Sequence, residues 1–173
     1  MKIAVVTGNP KPASRTYGVA LAVAGALAAA LPGAKTHPVV DLAEHASRLF
    51  DSLDAELSRI TAAVAAADVA VFASPTYKAS YTGMLKAFLD RYGSNGLAGV
   101  LAVPVMTGGW AGHTLAVEVH LRPVLVELGA TVPARGLYVT EPELADVDAS
   151  VAGWAVAAVT LIRALAGYEA SEA

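Results

Sequence analysis

Residues 2–31 read KIAVVT, GNPKPASRT and YGVALAVAGALAAAL in direct succession, and this stretch decides the fold. Lys2 to Thr7 is a short β-branched run without alternating polarity, the pattern of a strand buried on both faces. A Gly- and Pro-containing loop follows, and Arg15 to Leu31 reads as a helix closed by Pro32-Gly33. Strand, tight loop and helix in this order form the first half of a crossover unit in a parallel sheet.

The same alternation continues to the end of the chain. Strands are predicted at Thr36–Leu42, Asp68–Ser74, Val100–Met106 and Thr131–Val139. His37-Pro38 marks the second as an edge strand. Helices are predicted at Leu53–Ala67, Tyr81–Tyr92, Gly112–Leu128 and Val151–Leu165. No linker or repeat interrupts them, so residues 1–173 are expected to form one α/β domain. Right-handed crossovers and five strands favour a doubly wound parallel sheet in the order 2-1-3-4-5, with helices on both faces. The loops after strands one, three and four then meet at one edge, where ligands of such sheets bind.

Bulk composition narrows the function. The chain is 55% apolar with mean hydropathy +0.53, which favours extra burial in a homo-oligomer. Net charge is −3 without a basic tract, so no nucleic-acid partner is expected, and the charge is milder than a docking electron carrier would use. Residues 16–34 lack charge but contain Gly18, Gly25, Pro32 and Gly33 among weakly hydrophobic alanines; a buried helix is expected there, not a membrane span. The absence of cysteine removes thiolate nucleophiles and is compatible with a reducing cytoplasm.

Three loops carry the chemistry. In the first, Gly8 permits a tight exit from the strand, Ser14 is a candidate N-cap, and Arg15 and Thr16 add donors beside the positive end of a helix dipole. This suits a terminal phosphate, although a capped helix after a proline-rich turn is equally ordinary. No Asp or Glu precedes Asp41, none lies between Asp68 and Asp90, and none between Asp90 and Glu118. All three loops therefore fall in acid-free intervals, as an anion site requires.

The second loop, SPTYKASYTG from Ser74, offers backbone groups at Pro75 and Thr76 and aromatic surface at Tyr77 and Tyr81, with Lys78 between them. Tyr81 covering a helix start and Lys78 in solvent are the plain alternatives. The third, TGGWAGH from Thr107, has three glycines in five residues, which lets backbone pass close to a planar ring. Trp110 covers the site or packs elsewhere, and His113 is more readily structural than a ligand contact. No Walker A, GxGxxG or GxSxG motif occurs, and no metal site or triad, so demanding chemistry must come from a bound cofactor.

GNPKPASRT, SPTYKASYTGMLKAFLD and TGGWAGHTLAVEVHLRPVL resemble the three ligand loops of the flavodoxin-like NAD(P)H-dependent FMN reductase family, over roughly Lys2 to Val139. The likeness is nearest to reductases that serve alkanesulfonate monooxygenases. It implies FMN as cofactor, its phosphate held by Asn9, Ser14, Arg15 and Thr16. The flavin ring would meet Pro75, Thr76, Tyr77 and Lys78, with Thr107, Gly108 and Gly109 at its far edge. Asn9 stands where the family usually has serine.

The resemblance further implies hydride transfer from NADPH or NADH to flavin N5 without a catalytic side chain, a homotetramer, and a flavin-dependent monooxygenase as recipient. Sulfonate-linked members carry an inserted residue, often Tyr or His, that makes a π-bulge in the fourth helix. Val119 stands there, beside His120, and Pro123 removes a helix hydrogen bond nearby, so the sequence leaves the geometry of that helix open. Three other readings remain: an FMN-containing quinone, azo or metal-oxyanion reductase, a non-enzymatic flavin-binding electron-transfer module, and an oligomeric scaffold that has lost its ligand.

Overall fold

The computed structural model describes residues 1–166; the remainder of the expected 1–173 domain lies outside the described residues. Five strands, β1 (Lys2–Thr7), β2 (Lys35–Asp41), β3 (Val69–Pro75), β4 (Leu101–Gly108) and β5 (Leu137–Thr140), form one parallel sheet in the order β2-β1-β3-β4-β5. β2 is an edge strand, and Pro38 falls where its pairing with β1 shifts register. The α-helices are α1 (Arg15–Ala30), α2 (Ala55–Ala65), α3 (Gly83–Leu89), α4 (Arg122–Glu127) and α5 (Val147–Leu165).

Successive strand residues serve opposite cores, which explains the unbroken apolar runs. Ile3 and Val5 of β1, Val71 of β3 and Val105 of β4 pack against Val19, Val23 and Leu27 of α1 and Ile162 of α5. Ala4, Val6, Phe72 and Met106 pack against Leu57 of α2, Leu85 and Phe88 of α3, and Leu121 and Leu125 before and within α4. α1 is thus the buried core helix its composition predicts. α5 and the turn before it (Pro142–Leu165) are apolar and long enough to cross a membrane, and only 17% of their most apolar window is buried. α5 rests on the sheet and α1 through Val151, Ala158 and Ile162.

Element ends differ from the sequence expectation where side-chain caps set them. α2 begins after Asp54, which accepts from Leu57 N at 2.7 Å; α3 after Thr82; and α5 after Asp146, four residues earlier than expected. The expected fourth helix, Gly112–Leu128, is three pieces: a 3-10 turn at Ala111–His113, a π-helical segment at Val117–Leu121, and α4. Pro123 lacks the N–H that would continue an α-helical ladder, and the π segment absorbs the mismatch, with Val119 inside it.

The expected fifth strand, Thr131–Val139, pairs regularly only from Leu137. Upstream, Thr131 makes a single bridge to Leu101, and the Arg122 guanidinium takes the carbonyls of Val132 (2.8 Å) and Ala134 (3.0 Å) that a ladder would have used. Glu118, paired with Arg122, accepts from Gly136 N. The π segment and α4 therefore hold this crossover in place.

Candidate functional site

β1, β3 and β4 end side by side, and their loops build one cleft of about 260 Å³ at the C-terminal edge of the sheet. Each loop is shaped by its own polar groups and tied to its neighbours. In the first, Asn9 is buried; its Oδ1 accepts from Lys11 N (2.9 Å) and its amide donates to Thr16 Oγ1 (3.3 Å). Ala13 adopts a left-handed φ of 47° and donates its N–H to Asp41 Oδ2 at 2.8 Å. Ser14 Oγ accepts from Tyr17 N at 3.2 Å, which caps α1. The N–H groups of Arg15 and Thr16 have no acceptor inside the helix, and the first turn holds no acid.

The second loop turns through Tyr77-Lys78-Ala79-Ser80. Tyr77 and Ser80 exchange N–H···O bonds at 2.8 and 3.1 Å, and Lys78 and Ala79 both have positive φ (52° and 65°). This is the two-residue hairpin geometry that usually recruits Asn and Gly, so two ordinary residues hold a strained tip beside the cleft. Burial raises the Tyr81 phenol above its usual range, and Tyr81 packs on the core.

Tight bonds link the loops. Thr16 Oγ1 and Thr107 Oγ1 lie 2.7 Å apart, and Thr76 N donates to Thr107 O at 2.7 Å. Thr76 Oγ1 donates to the Tyr138 hydroxyl at 3.2 Å, which in turn reaches Trp110 O at 3.5 Å. A Cβ on Gly108 would lie 2.0 Å from that hydroxyl, so any larger residue here must push the Tyr138 ring aside. Trp110 stays exposed on the rim, edge-on to His113 at 4.8 Å and over Gly112.

Asn9, Ser14, Arg15 and Thr16 line this cleft together with Thr107, Gly108 and Gly109, and Tyr77 flanks it. Three expected residues do not line it. Pro75 is the last, buried residue of β3; Thr76 turns its hydroxyl to Tyr138; and Lys78 points outward at the hairpin tip. Lys11, Leu144 and Glu141 line it without having been singled out.

Glu141 and Asp41 correct the expectation of an acid-free edge. Glu141 follows β5 and pairs with Arg15 at 2.8 Å across the cleft, and Asp41 ends β2 beneath the first loop. Both are distant in sequence from the loops they touch, so intervals along the chain did not reveal them. Glu143 fixes the segment that carries Glu141: it accepts from Thr140 Oγ1 and N at 2.6 and 2.7 Å, and those bonds hold its carboxyl below the usual range.

A larger hollow, about 360 Å³, lies away from this edge between the loop around Phe50 and α3. Its arginine, Arg91, donates to the carbonyls of Leu49, Asp51 and Asp54, so its charge is committed to holding that loop.

Asp41 is nearly buried and accepts from both Ala13 N and Ala43 N. Asp41→Ala is expected to cost about 1–2 kcal/mol and to lower the melting temperature by about 2–8 °C. Asp41→Asn, with one acceptor oxygen for two N–H groups, should fall between the two; a melt equal to that of the parent protein for both variants would show that the loop is held otherwise.

A family model described as NADPH-dependent FMN reductase matches residues 1–143. The "NADH-dependent FMN reductase SfnF" of Pseudomonas putida is 35% identical over 143 residues, spanning 80% of this chain and 76% of the relative. The apo crystal structure of an NADH:FMN oxidoreductase (EMOB) superposes with a TM-score of 0.82 at 29% identity, covering 99% of this chain and 91% of the other. A flavodoxin from Streptococcus pneumonia TIGR4 shares the fold alone, with a TM-score of 0.57 at 17% identity over 91% of this chain and 99% of its own.

Proposed function

The chain belongs to the NADPH-dependent FMN reductase family, and from that premise we propose that FMN is held for reduction in the cleft at the C-terminal edge of the sheet. The activity is that of an NAD(P)H-dependent FMN reductase on a flavodoxin-like sheet. One observation carries the location: the acid-free, Ser14-capped start of α1 opens into the same cleft as the glycine wall of the third loop, and the Thr16–Thr107 bond fixes one to the other.

The residues present fit a phosphate attached to a flat ring. Two unspent N–H groups, a helix dipole and the Arg15 guanidinium converge at one end. At the other, Gly108 and Gly109 present backbone without side-chain bulk, and Tyr77 offers an aromatic flank. Asn9 and Thr16 shape the loop through their mutual bond, and Pro75 and Thr76 support the ring side from beneath. Flavin and nicotinamide supply the redox chemistry; the chain supplies position, a wall of glycine backbone and positive charge at the phosphate.

The reading extends to one domain over 1–173 in the cytoplasm, with reduced flavin passed to a monooxygenase. It includes a homo-oligomer, dimer or tetramer. Leu115, Val119 and Val126, within and beside the π segment and α4, leave apolar side chains more than half exposed, which supports assembly through that region.

Arg15→Ala is expected to weaken FMN about tenfold in a fluorescence titration and to leave riboflavin, which lacks the phosphate, unchanged. The loss is held to that size because Arg15 already has a partner in Glu141. Equal affinity of parent and variant for FMN would remove the phosphate from this end of the cleft.

A further inference from the structure

Among the described residues, Glu141 supplies the one carboxylate that lines the cleft. Its backbone N–H donates to Gly108 O at 2.9 Å, so it is anchored to the third loop, not free on a tail. Its side chain reaches back across the opening: Oε1 accepts from Arg15 Nη1 at 2.8 Å, and Oε2 lies 3.6 Å from where a Gly109 Cβ would stand. The carboxylate thus sits between the phosphate-facing guanidinium and the glycine wall. Both side chains are well exposed, 69% for Arg15 and 57% for Glu141, so the ion pair is cheap to break and cheap to remake.

We propose that Glu141 is a built-in competitor for the flavin phosphate, holding Arg15 when the cleft is empty and reclaiming it as flavin leaves. The inference rests on the placement of FMN proposed above. A carboxylate is the same kind of acceptor for a guanidinium as a phosphate oxygen, and both cannot take the same fork at full strength. A phosphate entering the cleft must displace Glu141 from Arg15 before it takes the guanidinium. Affinity is thereby capped, which suits a flavin that must depart as product and not remain as a fixed group. Thr140 and Glu143 keep the segment in place, so the competitor stays poised after displacement.

The test is Glu141→Gln, which keeps the size and a neutral acceptor but removes the charge, titrated with FMN and with riboflavin beside the parent, Arg15→Ala and the double variant. FMN should bind Glu141→Gln about three- to fivefold more tightly, with slower dissociation in stopped flow, while riboflavin affinity does not move. In the Arg15→Ala background the gain should shrink to less than about twofold, because no arginine is left to compete for. Unchanged or weaker FMN binding by Glu141→Gln, or the same gain with and without Arg15, would overturn the proposal. Loss of the FMN placement itself reads differently: Arg15→Ala alone would then bind FMN like the parent.

Discussion

Gly108→Ala is expected to weaken FMN binding about ten- to a hundredfold while the protein remains folded. One methyl group is enough because of what stands opposite. The added Cβ would lie 2.0 Å from the Tyr138 hydroxyl, 3.0 Å from its Cζ and 3.2 Å from Thr76 Cβ. The Tyr138 backbone is held on β5, whose neighbour in the ladder is β4 itself, through the Met106 to Tyr138 pairing. Its hydroxyl is the acceptor for Thr76 Oγ1. The ring must therefore leave that bond and move into the space beside the wall, or β4 must shift away from β5.

Either response disturbs the second and third loops together, since Thr76 N is bonded to Thr107 O. Overpacking of this kind costs about 1–3 kcal/mol, or about 2–12 °C in melting temperature for a chain of this size. A thermal melt and an FMN titration on one preparation separate the two effects. Parent-like FMN affinity in a Gly108→Ala protein with a lowered melt would place the ring elsewhere than against the third loop.

The contact between Gly108 and Tyr138 is invisible in the sequence. Three glycines in five residues said that backbone approaches something closely, but not which glycine or what. Gly108 answers to Tyr138 and Gly112 to the Trp110 ring, while a Cβ on Gly109 would meet only the Glu141 carboxylate, at 3.6 Å. The sheet itself was legible because each strand is apolar on both faces and each ends at a turn signal, which leaves little choice of topology. The three loops at its edge followed from strand order.

What the sequence hid is what strands two and five bring to the same edge. Asp41 and Glu141 stand at the ends of β2 and β5, remote from the loops they grip. A signal existed, because the C-terminal ends of all five strands face one way, so the outer strands deliver residues to the same edge as the three central ones. The helix after β4 was hidden for another reason: its apolar spacing fits an α-helix, and only the position of Val119 implied by the resemblance and the hydrogen-bonding defect at Pro123 marked the π segment.

Gly8→Ala is expected to be the most destabilising single-methyl change in the first loop, by about 3 kcal/mol, with a fall of about 6–12 °C in melting temperature. Tight backbone turning at the end of β1 would make this a question of φ, but Gly8 is not among the residues with positive φ. The requirement is space. A Cβ there would lie 2.5 Å from Leu85 Cβ, 2.9 Å from its Cα and 3.1 Å from its N. Leu85 is fully buried in the first turn of α3, whose cap, Thr82, accepts from Leu85 N and donates its hydroxyl to Gly8 O. Helix and strand end are thus seated on each other with no side chain between them.

Because the atoms in the way are backbone and Cβ, no rotamer change relieves them, and Leu85→Ala, which keeps both, should not rescue the variant. Moving α3 outward breaks the Thr82 to Gly8 link that ties the first loop to the second. FMN affinity should therefore fall along with stability, although Gly8 itself touches no ligand in the proposed placement. A melt unchanged from the parent would mean that α3 yields freely at this point; rescue by Leu85→Ala would mean that the conflict lies in the leucine side chain and not in the seating of the helix on the loop.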